Sequence, residues 1–377
     1  MRGMKTRFAA RFAALVLVGA MATAACGSSG DDTKDSSSSD GSSNSSIKGL
    51  DIDYSALSGT LTAGGSSFQN AFQEVARGAF QSVAPGLTVN YDGQQGSGGG
   101  KNLLIQKTFD FAGSDSLFSA DEKAKLNGAE TLYFPVVVAP LAIVFNVDGV
   151  TSLSLSPDTL AKIFERQITK WDDSAIKAEN ASAKLPSADI TVVRRDSGSG
   201  STNNLTGFLQ KAAPSVWTLG RGDTVAWPDG TQPAKGSSGI ATLVSSTKNT
   251  IGYVDFADAK NTPGLSLAKV KNADGEFVAP TLDGVAKALA NTTINADLTF
   301  DPLNAAGAGV YPIATPTFIL TYKGQSNKTK GDDLKAYLNF IYTDGQDLAA
   351  QANYTKLPDE FRQKAIDQLS QLVIPKS

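Results

Sequence analysis

Apolar and polar positions along this chain change period again and again from about residue 59. Short β-branched runs alternate with stretches whose apolar residues recur at helical spacing. Leu61-Thr62-Ala63-Gly64 reads as a strand entering Gly65-Ser66-Ser67, and Phe68, Phe72, Val75, Ala79, Phe80 and Val83 then follow a helical period. Leu87 to Tyr91 is a second strand. Gly96-Ser97-Gly98-Gly99-Gly100 opens a helix through Leu103 and Leu104, and Phe109 to Gly113 is a third strand, ending at Ser114-Asp115. Ser156 as N-cap, with Pro157 in the first turn, predicts a helix carrying Leu160, Ile163 and Phe164. The strand 190–193 leads through Arg194-Arg195-Asp196-Ser197-Gly198-Ser199-Gly200-Ser201 into a helix with Leu205, Phe208 and Leu209 on one face. A strand at 250–256 and tail helices at 334–341 and 361–372 complete the pattern, which is that of an α/β fold. The apolar run from Tyr133 to Asn146 contains Pro135 and Pro140. It is therefore expected to be a connection from one domain to another rather than one uninterrupted strand, with 311–320 as the return crossing.

Composition narrows the chemistry. The 377 residues include no histidine, which excludes a Ser-His-Asp triad and a His-ligated metal. The single cysteine, Cys26, excludes a disulfide framework and a multi-cysteine metal cluster. Length and 41% hydrophobic content suit two domain-sized cores. Residues 1–25 combine a basic start (Arg2, Lys5, Arg7, Arg11) with the apolar stretch 12–20, too short for a comfortable bilayer span, and small residues before Cys26. This resembles a bacterial lipoprotein signal, which implies cleavage before Cys26, lipid on its thiol and an extracytoplasmic protein anchored to the cell membrane. An ordinary secretory signal is the alternative. The polar stretch that follows Cys26 cannot bury enough surface to order itself, so 26–58 is expected to be a lipidated, flexible tether. Loss of the four leader cations leaves 30 basic against 37 acidic side chains, near −7, which argues against nucleic acid or an anionic membrane surface as partner.

Three helix starts share one design: Ser66-Ser67-Phe68, Gly96-Ser97-Gly98 and Ser199-Gly200-Ser201. Each follows a strand and offers small, hydroxyl-bearing residues. A helix N-terminus carries about half a positive charge and up to about four unpaired N–H groups, so three converging ones would bind an oxyanion without several lysines. Taken singly, each serine is more often an N-cap.

These stretches, with Asp110-Phe111-Ala112-Gly113-Ser114-Asp115, Lys170-Trp171-Asp172-Asp173, Thr224-Val225-Ala226-Trp227-Pro228, Gly252-Tyr253-Val254 and Thr317-Phe318-Ile319-Leu320, resemble the phosphate-binding protein family of bacterial phosphate ABC transporters, from about Gly59 to Leu372. The resemblance implies a two-lobed, periplasmic-binding-protein-like fold (type II, Venus flytrap) with two crossover hinge segments. Lobe 1 would comprise 59–140 and 312–377, and lobe 2 141–311. It also implies inorganic phosphate as ligand, delivery to the transmembrane subunits of a permease, no cofactor and no metal, a monomer, and no catalysis. By position, Ser67, Phe68 (through its N–H), Ser97 and Asp115 form one wall of the phosphate site, and Arg195, Ser199, Gly200 (through its N–H) and Ser201 the other. The family often places an aspartate two residues after the arginine to orient it. Here Ser197 stands there and Asp196 is adjacent, so what steadies Arg195 is open.

Asp115 carries the ligand argument, because a carboxylate repels an anion unless that anion brings a proton to share. Hydrogen phosphate does and sulfate does not, and leaving a buried charged group unpaired costs upwards of about 1–3 kcal/mol. Asp115 as a turn cap and Arg195 as a surface ion pair are the structural alternatives. The functional rivals are a receptor for another oxyanion, a serine hydrolase using Ser199, and an adhesin or sensor retaining the fold. Against the hydrolase stand the missing histidine and Ser197 in place of the glycine expected two residues before the nucleophile. The Lys170–Asp173 cluster and Trp227-Pro228 are expected to pack a helix end and shape a loop.

Overall fold

A computed structural model describes residues 47–376. The expected signal, Cys26 and the first part of the expected tether lie outside the described residues. Among the described residues no helix is long and apolar enough to cross a membrane.

The first lobe begins with β1 (Gly59–Gly65), α1 (Asn70–Val83), β2 (Leu87–Asp92), α2 (Gly96–Ile105), β3 (Phe111–Ser114) and α3 (Ala120–Lys125). β4 (Thr131–Asn146) then runs into the second lobe. That lobe contains β5 (Ser154–Leu155), α4 (Pro157–Phe164), α5 (Ser174–Glu179), β6 (Thr191–Arg195), α6 (Gly200–Ala212), β7 (Gln232–Ala234), α7 (Gly236–Ser246), β8 (Thr250–Asp255), α8 (Phe256–Asn261), β9 (Ser266–Leu267), β10 (Lys269–Lys271), β11 (Phe277–Val278) and α9 (Leu282–Ala290). The chain returns through β12 (Ala314–Tyr322) and ends with α10 (Lys328–Tyr342) and α11 (Asp359–Gln368).

One nine-stranded sheet runs through both lobes in the order β2-β1-β3-β12-β4-β8-β6-β7, with β9 added on β4. A small sheet, β11-β10-β5, stands apart. β1 is parallel to β2 and β3, β6 is parallel to β7 and β8, and at the centre β12 is antiparallel to β3 and β4, and β4 to β8. Helices cover the sheet because its strands are apolar on both faces: β4 is buried at every residue from Leu132 to Asn146.

β4 corrects the sequence expectation. Pro135 and Pro140 do not break it, because each sits where the ladder asks for no N–H. Pro135 borders a bulge, since Phe318 pairs with Pro135 and Thr317 with Val137, leaving Val136 as the extra residue. Pro140 is the last residue paired with β12 (opposite Ala314), and Leu141 is the first paired with β8 (opposite Asp255). The strand still makes the expected passage between lobes, as continuous sheet rather than as loop.

Residues 47–58, expected to belong to the flexible tether, are instead folded onto the protein. From Ile47 the chain is seated on the first lobe: Leu50 N–H donates to Asn339 Oδ1 (2.8 Å), Tyr54 packs edge-on against Phe80 (5.9 Å), and Leu57 joins the core. Ile47, Tyr54 and Leu57, three side chains in the space of eleven residues, supply the burial that the Ser/Asp/Gly run lacks. In α1 the buried face is Phe72, Gln73, Ala76 and Phe80, while Val83 is exposed.

Candidate functional site

All eight residues expected at the anion site are buried and gather where the lobes meet. On the first lobe, β1 delivers Ser66 and Ser67 into a turn that precedes α1, so these residues and Phe68 stand before the helix rather than in it. Phe68 is fully buried against Tyr354 (6.2 Å between ring centres), which fixes the turn from behind. On the second lobe, β6 ends at Arg195 and α6 starts at Gly200, with Ser199 as N-cap.

Asp115 follows β3. Its Oδ1 accepts from Ser66 Oγ (2.5 Å) and Thr317 Oγ1 (2.6 Å), whereas Oδ2 has only Ser97 Oγ at 3.3 Å. Ser97 Oγ in turn accepts from the Asp115 N–H (3.1 Å), and Asn204 Nδ2 of α6 donates to the Asp115 carbonyl (2.6 Å). Asp115 is thus held by five hydrogen bonds with four side chains, and one carboxylate oxygen is lightly engaged. Burial pushes its pKa up from 3.8 to about 6, against the lowering effect of Ser66, Thr317, the Arg195 charge and Ser97. No cap of a neighbouring turn is formed by this side chain; its partners come from the turn after β1, from α2 and from β12.

Arg195 is 4% exposed. Its Nη1 donates to Ser199 Oγ (2.9 Å) and, across the lobes, to Ser67 Oγ (3.2 Å). Ser67 Oγ also accepts from Ser237 N–H (3.2 Å), and Ser199 Oγ from Thr202 N–H (3.3 Å). A hydroxyl oxygen that accepts twice has its own hydrogen left to donate. Ser199 is therefore set as a donor, while the Ser67 hydrogen is shared between the cleft and Ser237 Oγ at 3.1 Å. Arg195 Nε and Ser201 Oγ are buried without a hydrogen-bond partner. Burial lowers the Arg195 pKa, while the Tyr253, Asp115, Asp196 and Asp255 groups raise it. The result is a set of donors facing one available acceptor, Asp115 Oδ2.

What steadies Arg195, left open by the sequence, is neither Asp196 nor Ser197. Asp196 and Ser197 are exposed and bond to each other (3.0 Å). Ser67 and Ser199 hold the guanidinium instead, and Tyr253 OH, shared with Thr202 Oγ1 (2.6 Å), accepts from the Arg195 backbone N–H (3.2 Å).

Two glycines permit the close approach. A Cβ on Gly200 would lie 2.5 Å from Ser97 Oγ and 2.6 Å from Asp115 Cβ. Gly96 has φ +68°, and a Cβ there would lie 2.7 Å from the Gly198 carbonyl, the same oxygen that accepts from Gly98 N–H (3.2 Å) across the lobes.

Sequence reasoning missed Ser66, Thr317, Asn204 and Ser237. Ser237 had a visible signal, since Gly236-Ser237-Ser238-Gly239 repeats the small, hydroxyl-bearing helix start. Its Oγ lies 3.1 Å from Ser67 Oγ. The Lys170–Asp173 cluster packs a helix start: Asp173 N-caps α5 and Trp171 is fully buried. Trp227 stacks on Tyr253 (6.4 Å) behind the Arg195 loop.

Residues 32–345 match the model of the PBP superfamily domain. The phosphate-binding protein PstS 3 of Mycobacterium leprae is 36% identical over 318 residues, covering 81% of this chain and 85% of that protein. The phosphate-binding protein PstS of Pasteurella multocida is 35% identical over 314 residues, covering 81% and 88%. Among solved structures, a phosphate-binding protein from Stenotrophomonas maltophilia superposes with a TM-score of 0.65 at 21% identity, covering 82% of this chain and 94% of that one, which shows a shared fold. The chain therefore belongs to the PBP superfamily and, within it, to the family of the PstS phosphate-binding proteins.

Proposed function

We propose that this protein is an extracytoplasmic receptor for inorganic phosphate that closes its lobes on the anion and hands it to the transmembrane subunits of an ABC importer. The observation that carries this reading is the pairing of one lightly engaged carboxylate oxygen, Asp115 Oδ2, with unpartnered donors at Arg195 Nε and Ser201 Oγ and a Ser199 hydroxyl whose hydrogen is left to give. Donors suit any oxyanion, but the acceptor suits one that carries a proton. Ser67, the Phe68 N–H, Ser97 and Asp115 form one wall, and Arg195, Ser199, the Gly200 N–H and Ser201 the other. The names of the relatives support the same ligand.

In this reading no bond is broken. Ser199 Oγ receives hydrogen bonds from Arg195 and from the Thr202 N–H, and neither group takes a proton from it. The lobes divide at 140/141 and 311/312, where β4 changes partner and the chain returns to β12. Lipid on Cys26 holds a monomer at the outer face of the membrane, near its permease. Titration calorimetry of the purified chain with phosphate and with sulfate tests the ligand. Strong phosphate binding with sulfate weaker by about 10⁴–10⁵-fold is expected, and equal affinities refute it.

A further inference from the structure

One charged cluster at the lobe junction lies outside the anion site. Lys101 sits on α2 one turn beyond Ser97, with its side chain 2% exposed. Its ammonium donates to Glu122 Oε2 (2.8 Å) and the Leu117 carbonyl (3.1 Å), both on the first lobe, and meets Asp223 Oδ2 of the second lobe at 3.0 Å. Three donors thus have three partners. Asp223 Oδ2 also accepts from Ser116 Oγ of the first lobe (3.0 Å). On its own lobe Asp223 Oδ1 accepts from Asn203 Nδ2 (3.0 Å), and its carbonyl from the Ser199 N–H (3.0 Å). Asn203 lies one turn beyond Ser199. The cluster therefore joins the two helices whose first turns carry Ser97 and Ser199, one turn further along each.

The contacts divide by lobe. If the lobes part, Lys101 keeps Glu122 and the Leu117 carbonyl, and Asp223 keeps Asn203 and Ser199. Only the Lys101–Asp223 and Ser116–Asp223 contacts are lost. An interaction made in one of two states shifts their populations by its differential free energy. We propose that Lys101 and Asp223 are affinity-setting positioning residues: an interlobe ion pair that touches no ligand, forms only in the closed arrangement, and tightens anion binding by favouring closure. The proposal deepens the phosphate reading and takes its probe from it.

The test uses the full chain and its Asp223→Asn variant, which leaves the Asn203 and Ser199 bonds in place. Inorganic phosphate is titrated by calorimetry, thermal unfolding is followed with and without phosphate, and compactness is followed by small-angle X-ray scattering. Phosphate affinity is expected to fall about ten- to a hundredfold, through faster release. Ligand-free Tm should stay unchanged and the phosphate-induced rise in Tm should shrink. Asp223→Glu should recover part of the affinity, and Lys101→Met should lose less when combined with Asp223→Asn than the two single losses multiplied. Unchanged affinity in Asp223→Asn, or a ligand-free Tm falling in step with affinity, overturns the proposal. Should Asp223→Asn not fold, Lys101→Arg, which keeps the charge and changes its reach, is measured in the same way, and parental affinity there counts against the pair. Should the parent not bind phosphate at all, the ligand reading falls, and the same titrations and scattering are run with sulfate as the anion, where unchanged affinity in Asp223→Asn overturns the ion pair.

Discussion

Replacing Asp115 by asparagine changes one atom and should change which anions the cleft accepts. Oδ1 is already an acceptor for Ser66 and Thr317, at 2.5 and 2.6 Å. An amide at this position therefore keeps its oxygen there and turns its NH₂ to where Oδ2 stands, beside Ser97 and toward the donors of the opposite wall. The lone acceptor becomes one more donor. Burial disfavours the charged form and raises the carboxyl pKa from 3.8 to about 6, so an ionised Asp115 is held at a cost. That cost is offset when a ligand O–H satisfies the charge, and it stands uncompensated when a fully ionised anion is bound. Its removal should therefore improve sulfate binding by about a hundredfold, while hydrogen phosphate loses the acceptor for its proton. Competitive calorimetry of both anions at pH 8, on parent and variant, reads the ratio directly. An unchanged phosphate-to-sulfate ratio in Asp115→Asn would show that the carboxylate is not the discriminator and refute the reasoning.

The parent should gain affinity for sulfate as pH falls through about 6, because a raised carboxyl pKa means a protonated, donating Asp115 below that value and an ionised, repelling one above it. Sulfate titrations from pH 4.5 to 8 check the sign, and a flat or rising profile toward high pH contradicts it. Thr317→Val and Ser66→Ala each remove a donor to Oδ1, so either should move that transition to higher pH, measured by the same titrations. Gly200→Ala places a methyl group against Ser97 and Asp115; overpacking of about 1–3 kcal/mol should weaken phosphate roughly ten- to a hundredfold by calorimetry while sparing the ligand-free Tm. Arg195→Lys gives up the planar guanidinium, whose Nη1 bonds both Ser67 and Ser199 and whose Nε is unpartnered, and a loss of about 1.5–3 kcal/mol in phosphate binding by calorimetry is expected.

Much of this site was legible because it is built from local signals. A strand followed by small hydroxyl residues announces a helix start, and both walls of the cleft are made that way. The groups that tune those walls were hidden because they come from far along the chain. Thr317 reaches Asp115 only after β12 has entered the sheet between β3 and β4, and Ser237 reaches Ser67 only when the lobes meet. The family pattern places an aspartate two residues after the arginine, where Ser197 stands here; Asp196 and Ser197 both turn to solvent, and two serine hydroxyls do the holding. Such pairings are tertiary and leave no spacing to read. β4 was misread for a related reason: proline is incompatible with a ladder only where a partner demands its N–H, and the bulge at Val136 and the change of partner after Pro140 are visible only once the neighbouring strands are known.

The position of β12 also bears on how the polypeptide acquires its structure. It is the last strand in the chain, yet it occupies the middle of the sheet, hydrogen-bonded to β3 on one side and to the first half of β4 on the other. A chain that has emerged only as far as residue 313 has two open, apolar strand edges facing each other across a missing strand. Such edges invite pairing with other molecules, and contacts so distant in sequence form slowly. Loss of the C-terminal segment therefore removes a keystone rather than a trimming, and a nascent chain remains prone to aggregation until Ala314–Tyr322 has slotted home.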